Sequence, residues 1–197
     1  MLRINPARGE ESGDKPRFLP EPVAFLRAKQ HNRSDSIGLE WQDKEKTVRA
    51  VVQRVSQAKV TVEGRTSGEI GKGFLVLISS GRKDTDTDVA WMASKLLALR
   101  VFPDDEGKMN RSILEAGGDF LVVSQFTLHG DCRKGARPSF SLAMAPEEAK
   151  RLVDLLMEKL CHGGASRVES GIFGAMMKVA LVNDGPVTLL LDSEKNF

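Results

Sequence analysis

Two nearly uninterrupted apolar runs, Phe74–Ser79 and Phe120–Phe126, limit the folds open to this chain more than any other feature. Such runs are typical of strands buried on both faces, so each needs cover above and below. Two segments with helical spacing can supply part of that cover, one after Asp84–Asp88 and one after Pro146. Their apolar faces are Val89, Met92, Ala93, Leu96 and Leu97 in the first and Ala149, Leu152, Val153, Leu156 and Leu160 in the second.

Further strands are predicted at both ends of this core. Val48–Val55 and Lys59–Val62 are rich in valine and partly alternate, and a plausible turn follows at residues 63–65. Near the C-terminus the same pattern predicts strands at Ser166–Ile172, Met176–Val182 and Val187–Leu191. The chain is therefore predicted to be an α/β protein, a strand-rich single domain of mixed sheets with two main helices packed on them.

Residues 1–47 differ from the rest of the chain in composition. They contain four prolines, mixed charges and only short apolar pieces. Such a segment buries too little apolar surface to offset the entropy of ordering it, so we predict a flexible extension. Residues 193–197 are predicted to be a short tail. No apolar run reaches the roughly 18 residues of a membrane span, and no secretory signal is present, so a cytoplasmic location is expected.

The charge balance and the cysteines narrow the class of protein. The net charge is +2, from 29 basic and 27 acidic residues, whereas proteins that wrap nucleic acid carry a strong basic excess. A contact with RNA would therefore cover a small area. Cys132 and Cys161 show no metal-ligand spacing, and we expect two free thiols that act as small buried hydrophobes.

Familiar catalytic motifs are missing. The three histidines are far apart in the sequence, and there is no zinc motif, GxSxG elbow, phosphate-binding loop or dinucleotide fingerprint. Ser124 or Thr127 paired with His129 is conceivable, but no carboxylate stands ready to orient the histidine. We favour an exposed His129 at the end of a strand. An enzyme built on this chain is expected to work without a metal, a cofactor or a side-chain triad.

Two polar segments stand beside apolar strands. Ser124-Gln125-Phe126-Thr127-Leu128 closes the second apolar run, where polar side chains either face a ligand crevice or belong to a fraying strand. Asn183-Asp184-Gly185-Pro186-Val187-Thr188 lies between two predicted strands, and turn chemistry alone favours an ordinary hairpin connection.

Together with Arg137-Pro138-Ser139-Phe140, which lies between them, these two segments resemble the D-aminoacyl-tRNA deacylase family. Supporting matches, in the family's order and spacing, are the opening hairpin Val48–Val62, Gly68–Gly73 and Gly107–Asn110. The resemblance covers about residues 48–192, and Val48 stands at the family's usual initiator position. Residues 1–47 have no counterpart, which suggests that a GUG start codon was read as valine and that the upstream segment is dispensable.

The resemblance implies a partly barrel-like, homodimeric fold and an editing hydrolase that cuts the ester between a D-amino acid and tRNA. In the family the Gly-Pro peptide bond is cis, and its turn enters the partner subunit's pocket. Gly185 and Pro186 would then hold the α-amino group of the substrate and leave no room for an L side chain. Asn183 and Arg54 are assigned to the same task, although a surface arginine is the alternative for Arg54. Glycine has no side chain to reject, so glycyl-tRNA is expected to enter as well.

The resemblance assigns catalysis to the first segment, at Ser124, Gln125, Phe126 and Thr127. The backbone N–H groups near Phe126 and Thr127 are candidates for stabilising the oxyanion, with the terminal ribose 2′-OH activating water. Thr127 as a nucleophile is the alternative, although it has no visible base. Phe126 either lines the pocket of the 3′-terminal adenosine or belongs to the core.

A basic loop after the first segment is the expected contact for the tRNA acceptor stem, unless it is merely solvated. It contains Arg133, Lys134 and Arg137. No metal, cofactor or membrane is implied as a partner. The main alternative function is a non-hydrolytic module that binds the 3′ end of tRNA.

Overall fold

The computed structural model describes residues 47–195, and its elements follow the predicted order. The strands are β1 (Arg49–Val62), β2 (Arg65–Ile70), β3 (Gly73–Ser79), β4 (Phe102–Pro103), β5 (Met109–Arg111), β6 (Asp119–Ser124), β7 (Val168–Ser170) and β8 (Lys178–Asp192). The helices are α1 (Asp86–Ala98) and α2 (Pro146–His162), and a 3-10 turn spans Phe126–His129. The predicted extension lies outside the described residues except for Thr47, which is buried.

The long strand β1 organises the sheet because it pairs antiparallel with three others. Its first half pairs with β3, from Arg49 opposite Ser79 to Val55 opposite Gly73, and its second half pairs with β2. Along its other edge, β8 pairs with nearly the whole length of β1. The sequence predicts two strands in place of β1 and two in place of β8. Polar residues interrupt the apolar pattern of both, but each strand continues, because the β1–β8 pairing resumes after register shifts on either side of Val55.

The two apolar runs form the parallel centre of the sheet as β3 and β6, and β7 extends it in parallel. Parallel neighbours need crossover connections, and these contain α1 and α2. At the far side β7 comes close to β2, since a Cβ on Gly68 would lie 2.6 Å from the carbonyl oxygen of Ser170. The sheet is thus nearly closed and barrel-like, and the mixed α/β prediction is confirmed. A separate small sheet contains β4 and β5.

Each face of the central sheet carries its own apolar cluster. The larger cluster joins β1, β3 and β6 to the two helices, and Phe74, Met92 and Leu156 are among its fully buried members. The smaller cluster lies on the opposite face, around Leu75 and Leu121. The predicted helix faces are confirmed at their central positions, because Val89, Met92, Ala93, Leu96, Leu152, Leu156 and Leu160 are all buried.

The burial predicted for the cysteines is wrong, because Cys132 and Cys161 are both exposed free thiols. Cys132 lies in the polar loop after the 3-10 turn, and Cys161 follows Leu160 on α2 but leaves the helix outside its apolar stripe. Neither position therefore faces a core. None of the helices within residues 47–195 combines the length and the apolar character needed to cross a membrane.

Candidate active site

The segment Ser124–Leu128 leaves the sheet at the end of β6. β6 ends at Ser124, the amide of Gln125 still donates to the carbonyl of Ile78 on β3 at 2.7 Å, and the 3-10 turn then begins at Phe126. This pairing fixes where the strand stops. The turn consequently lies at the end of two adjacent parallel strands, which is the edge of a sheet where ligands commonly bind.

The opening half of the 3-10 turn faces outward. Phe126 is 58% exposed and meets the ring of Phe140 edge-on, with the centroids 5.1 Å apart. The prediction of a core Phe126 is therefore excluded. The hydroxyl of Thr127 accepts a hydrogen bond from the side-chain amide of Gln125. Helical geometry leaves the first N–H groups of such a turn without an acceptor inside it, and here these belong to Phe126 and Thr127.

The last residue of the turn is buried, which corrects the prediction of an exposed His129. The imidazole is 1% exposed, with Nδ1 2.8 Å from the hydroxyl of Ser79 and Nε2 3.0 Å from the carbonyl oxygen of Thr47. Desolvation lowers the pKa of His129 below its ordinary value of 6.5. The conceivable pairing with Ser124 or Thr127 is not formed, because both ring nitrogens have these other partners. Sequence reasoning missed this contact, since Ser79 and Thr47 are 50 and 82 positions away.

The basic loop after the turn is closed by two backbone hydrogen bonds between Asp131 and Ser139, of 2.7 and 2.9 Å. Within it, the guanidinium of Arg133 binds the carboxylate of Asp131 and lowers the pKa of that group far below its ordinary value. Lys134 and Arg137 are exposed. Arg133 is thus partly neutralised inside its own loop, which leaves Lys134 and Arg137 as the more available charges.

The segment Asn183–Thr188 is not a hairpin, so that interpretation is wrong. The residues on both sides of it pair with the same strand, Asn183 with Val55 and Thr188 with Gln53. Residues 184–187 therefore bulge out of β8 as a four-residue turn, while β8 continues in its original direction. The Gly185-Pro186 peptide bond is cis, as the resemblance implies. Asp184, Gly185 and Pro186 are exposed.

Side chains at the base hold this turn in place. The amide oxygen of Asn183 accepts the backbone N–H of Val187 at 2.8 Å, and its nitrogen donates to the hydroxyl of Thr188 at 2.9 Å. Arg54 is only 8% exposed, so the alternative of a surface arginine is excluded. Its Nε donates to the carbonyl of Asp184 at 3.0 Å, and its Nη1 donates to the carbonyl of Val101. Arg54 thereby joins the turn to the segment after α1 within one chain.

Within one chain the two motifs are anchored to different residues of β1. Arg49 Nη1 donates to the carbonyl of Leu128 in the first motif at 3.0 Å, whereas Arg54 donates to Asp184 beside the second. Five residues of strand span roughly 16 Å. Because Arg49 and Arg54 are an odd number of positions apart, their side chains also leave opposite faces of β1. Within one chain the two motifs are therefore held at separate positions along β1 and beside its opposite faces.

Comparison with known proteins supports the resemblance to the deacylase family. A family model described as D-Tyr-tRNA(Tyr) deacylase matches residues 51–192. Proteins named D-aminoacyl-tRNA deacylase are 59% identical in Desulfitobacterium hafniense (strain Y51) and 55% in Thermosipho melanesiensis (strain DSM 12029 / CIP 104789 / BI429). Each alignment extends over 150 residues, which is 76% of this chain and all of the relative.

Two solved structures share the fold. A c-Myc DNA Unwinding Element Binding Protein superposes with a TM-score of 0.69 at 41% identity, over 73% of this chain and 97% of that protein. A probable eukaryotic D-amino acid tRNA deacylase superposes with a TM-score of 0.64 at 23% identity, over 74% and 99% of the two chains. With the family model spanning well over half of its length, the chain belongs to the D-Tyr-tRNA(Tyr) deacylase family.

Proposed function

We propose that the chain hydrolyses the ester between a D-amino acid and the 3′ end of tRNA in the cytoplasm, that it also accepts glycyl-tRNA, and that it rejects L-aminoacyl-tRNA. The observation that carries this proposal is the exposed Gly185-Pro186 turn, held rigid by the buried Arg54. The turn is exposed and bulges out of β8, so it is available to complete the pocket of a second copy.

A dimer is the assembly that would supply the second copy. Large apolar side chains are exposed in the last third of the described chain, among them Leu190 at 58% and Met176 at 92%. Among the described strands β8 pairs only with β1, so its outer edge remains available. Exposed apolar side chains along an unpaired edge strand are typical of an interaction surface.

Leu190→Glu tests the dimer. It places a charge on the exposed side of β8, and we expect a folded monomer without deacylase activity, measured by sedimentation and turnover. Met109→Glu is the matched control, because Met109 is similarly exposed at 60% but lies on β5. A fully active Leu190→Glu monomer would contradict the composite site.

Chiral selection would follow from the geometry of the turn. The carbonyl oxygens of Gly185 and Pro186 would accept hydrogen bonds from the substrate's α-amino group. An L side chain would then point into the turn, whereas a D side chain would point to solvent. Glycine has no side chain that the turn could exclude. Rejection by a steric clash gives discrimination without a tight fit to any one D side chain.

Catalysis would rest on the 3-10 turn. An aminoacyl ester is already reactive, so orientation and oxyanion stabilisation supply most of what is needed. We assign oxyanion stabilisation to the N–H groups of Phe126 and Thr127, supported by Ser124 and Gln125, with the ribose 2′-OH assisting the attacking water. Thr127 as a nucleophile remains the alternative, although its hydroxyl accepts a hydrogen bond from Gln125 and no base among the described residues is hydrogen-bonded to it.

The tRNA end would be held by the exposed surface around this turn. The ring of Phe126 is available for stacking on the terminal adenine, and such stacking is worth about 1–3 kcal/mol per base. The basic loop lies next to it, and Lys134 and Arg137 would approach acceptor-stem phosphates. We place the catalytic domain at residues 48–192 and consider residues 1–46 dispensable, whereas the buried Thr47 accepts a hydrogen bond from His129. Mass spectrometry of the N-terminus of native protein tests this boundary.

One assay tests the activity as a whole. Purified full-length protein is incubated with tRNA charged with D-Tyr, L-Tyr or Gly, and the remaining ester is followed over time. Rapid loss of the D-Tyr and Gly esters with a stable L-Tyr ester is the expected result. Binding of all three without hydrolysis would favour the alternative of a non-hydrolytic module for the 3′ end of tRNA.

A further inference from the structure

His129 is a buried ionisable side chain that the proposed mechanism does not use. It is the last residue of the 3-10 turn and is 1% exposed, whereas the side chain of His162, at the end of α2, is 76% exposed. A buried histidine with no metal or carboxylate on its ring is costly to maintain unless both nitrogens find partners. In this structure each ring nitrogen of His129 has a hydrogen-bond partner.

The two partners determine where the proton of the imidazole lies. A carbonyl oxygen only accepts, so Nε2 must carry the proton that it donates to Thr47 over 3.0 Å. Nδ1 is then an acceptor for the hydroxyl of Ser79 at 2.8 Å. Burial is the main cause that lowers the pKa of this ring, and the nearby charge of Arg49 lowers it further. The hydrogen bond to the Thr47 carbonyl and the charge of Asp192 raise the pKa in part. The ring is therefore neutral at neutral pH and held in one tautomer.

The turn is fastened just before its first residue by the Gln125 amide, which donates to Ile78, and more extensively in its closing half. His129 ties it to Ser79 at the end of β3 and to Thr47 just before β1, and Arg49 adds a 3.0 Å hydrogen bond to the carbonyl of Leu128. The opening half, with Phe126 and Thr127, is exposed. The direction of its N–H groups therefore depends on the Gln125–Ile78 hydrogen bond just before the turn and on the anchored end three residues later.

We propose that His129 is a positioning residue for deacylation, whose two hydrogen bonds hold the Phe126–His129 turn with its first N–H groups directed at the substrate ester. The inference rests on the proposed function, in which those N–H groups stabilise the oxyanion. His129 itself does not touch the substrate. Its effect is to keep the donors where the tetrahedral intermediate develops charge.

His129→Leu tests the anchor by removing both hydrogen bonds while keeping an apolar side chain in the space. Small misplacements of catalytic groups cost roughly ten- to a hundredfold in rate, so we expect kcat on D-Tyr-tRNA to fall in that range. KM should stay within about twofold, because the contacts with the tRNA end are unchanged. His129→Gln retains an N–H donor for Thr47 and should recover part of kcat. His162→Gln is the matched histidine control and should behave as wild type.

Ser79→Ala keeps the test valid if His129→Leu does not fold. It deletes one hydroxyl and leaves Nδ1 without its donor, and a severalfold fall in kcat at unchanged KM is expected. Wild-type kcat in Ser79→Ala, or in a folded His129→Leu, would overturn the proposal.

Nuclear magnetic resonance separates this inference from the proposed function, because it needs no substrate. In full-length protein with ¹⁵N-labelled histidine, the ring of His129 should show the neutral tautomer protonated at Nε2 and should titrate below 6.5, its ordinary value. In His129→Leu the amides of Leu128 and Gly130 should exchange with solvent at least about tenfold faster. An Nδ1-protonated ring or unchanged exchange would overturn the anchor, whereas an inactive wild type with these signatures would overturn only the deacylase function.

Discussion

Gly185→Ala is the substitution that most directly tests whether a rigid turn sorts the two enantiomers. Gly185 has a φ of 130°, in a region that L residues rarely adopt. A Cβ at this position would lie 2.8 Å from Cγ2 of Val187 and 2.9 Å from Nη2 of Arg54. The added methyl group would therefore press against the guanidinium that holds the turn.

The expected cost has two parts. The backbone strain is worth about 1–3 kcal/mol. Moving Arg54 weakens its charge-assisted hydrogen bonds to Asp184 and Val101, and such bonds contribute about 1.5–3 kcal/mol each. Partial relaxation keeps the total below the full sum, so we expect a loss of about 3 kcal/mol in the free energy of unfolding.

Gly107→Ala is the control for strain without contact. Gly107 has a φ of 77°, and a Cβ there meets nothing within 4 Å. Its expected cost is about 1 kcal/mol, because only the left-handed backbone conformation is penalised. Urea unfolding at one fixed protein concentration measures both variants, since the stability of a dimer depends on concentration.

The functional readout is the ratio of kcat/KM for D-Tyr-tRNA over L-Tyr-tRNA. We expect Gly185→Ala to lower that ratio at least tenfold, which corresponds to about 1.4 kcal/mol of lost discrimination. Gly107→Ala should leave it unchanged. The reasoning is refuted if Gly185→Ala costs no more stability than Gly107→Ala and retains the full ratio.

Three further outcomes follow from the site. Thr127→Ala should retain near-normal turnover if backbone donors carry catalysis, and a complete loss of turnover in a folded protein would instead identify a nucleophile. Replacing Arg133, Lys134 and Arg137 in the basic loop by neutral residues should raise KM and weaken the dependence of KM on salt concentration. Kinetics that stay unchanged at every salt concentration would indicate a loop that is merely solvated. Because the pKa of His129 is lowered in the folded state, its contribution to stability is present above pH 6.5 and is lost as the pH falls through the lowered value. The stability of His129→Gln should therefore depend less on pH in that window than the wild type, and equal slopes would contradict a buried neutral imidazole.

Local pattern predicted most of the elements, because apolar spacing reports directly on strands and helices. The runs at β3 and β6 and the apolar faces of α1 and α2 were placed correctly for this reason. The interruption in β8 was misread as a hairpin. Whether a Gly-Pro turn reverses a chain or bulges from it depends on which strand the flanking residues pair with, and β1 lies more than a hundred residues earlier.

The sequence by itself determined the family, the order of the elements and the two motifs, since these are properties of residue type and spacing. Only the tertiary structure decided that Arg54 is buried beneath the Gly-Pro turn, that His129 is enclosed by Ser79 and Thr47, and that the two motifs are anchored to different residues of β1. The physical reason is that burial and hydrogen-bond partners arise from contacts between distant segments. A polar side chain looks the same in the sequence whether it ends in water or between two strands.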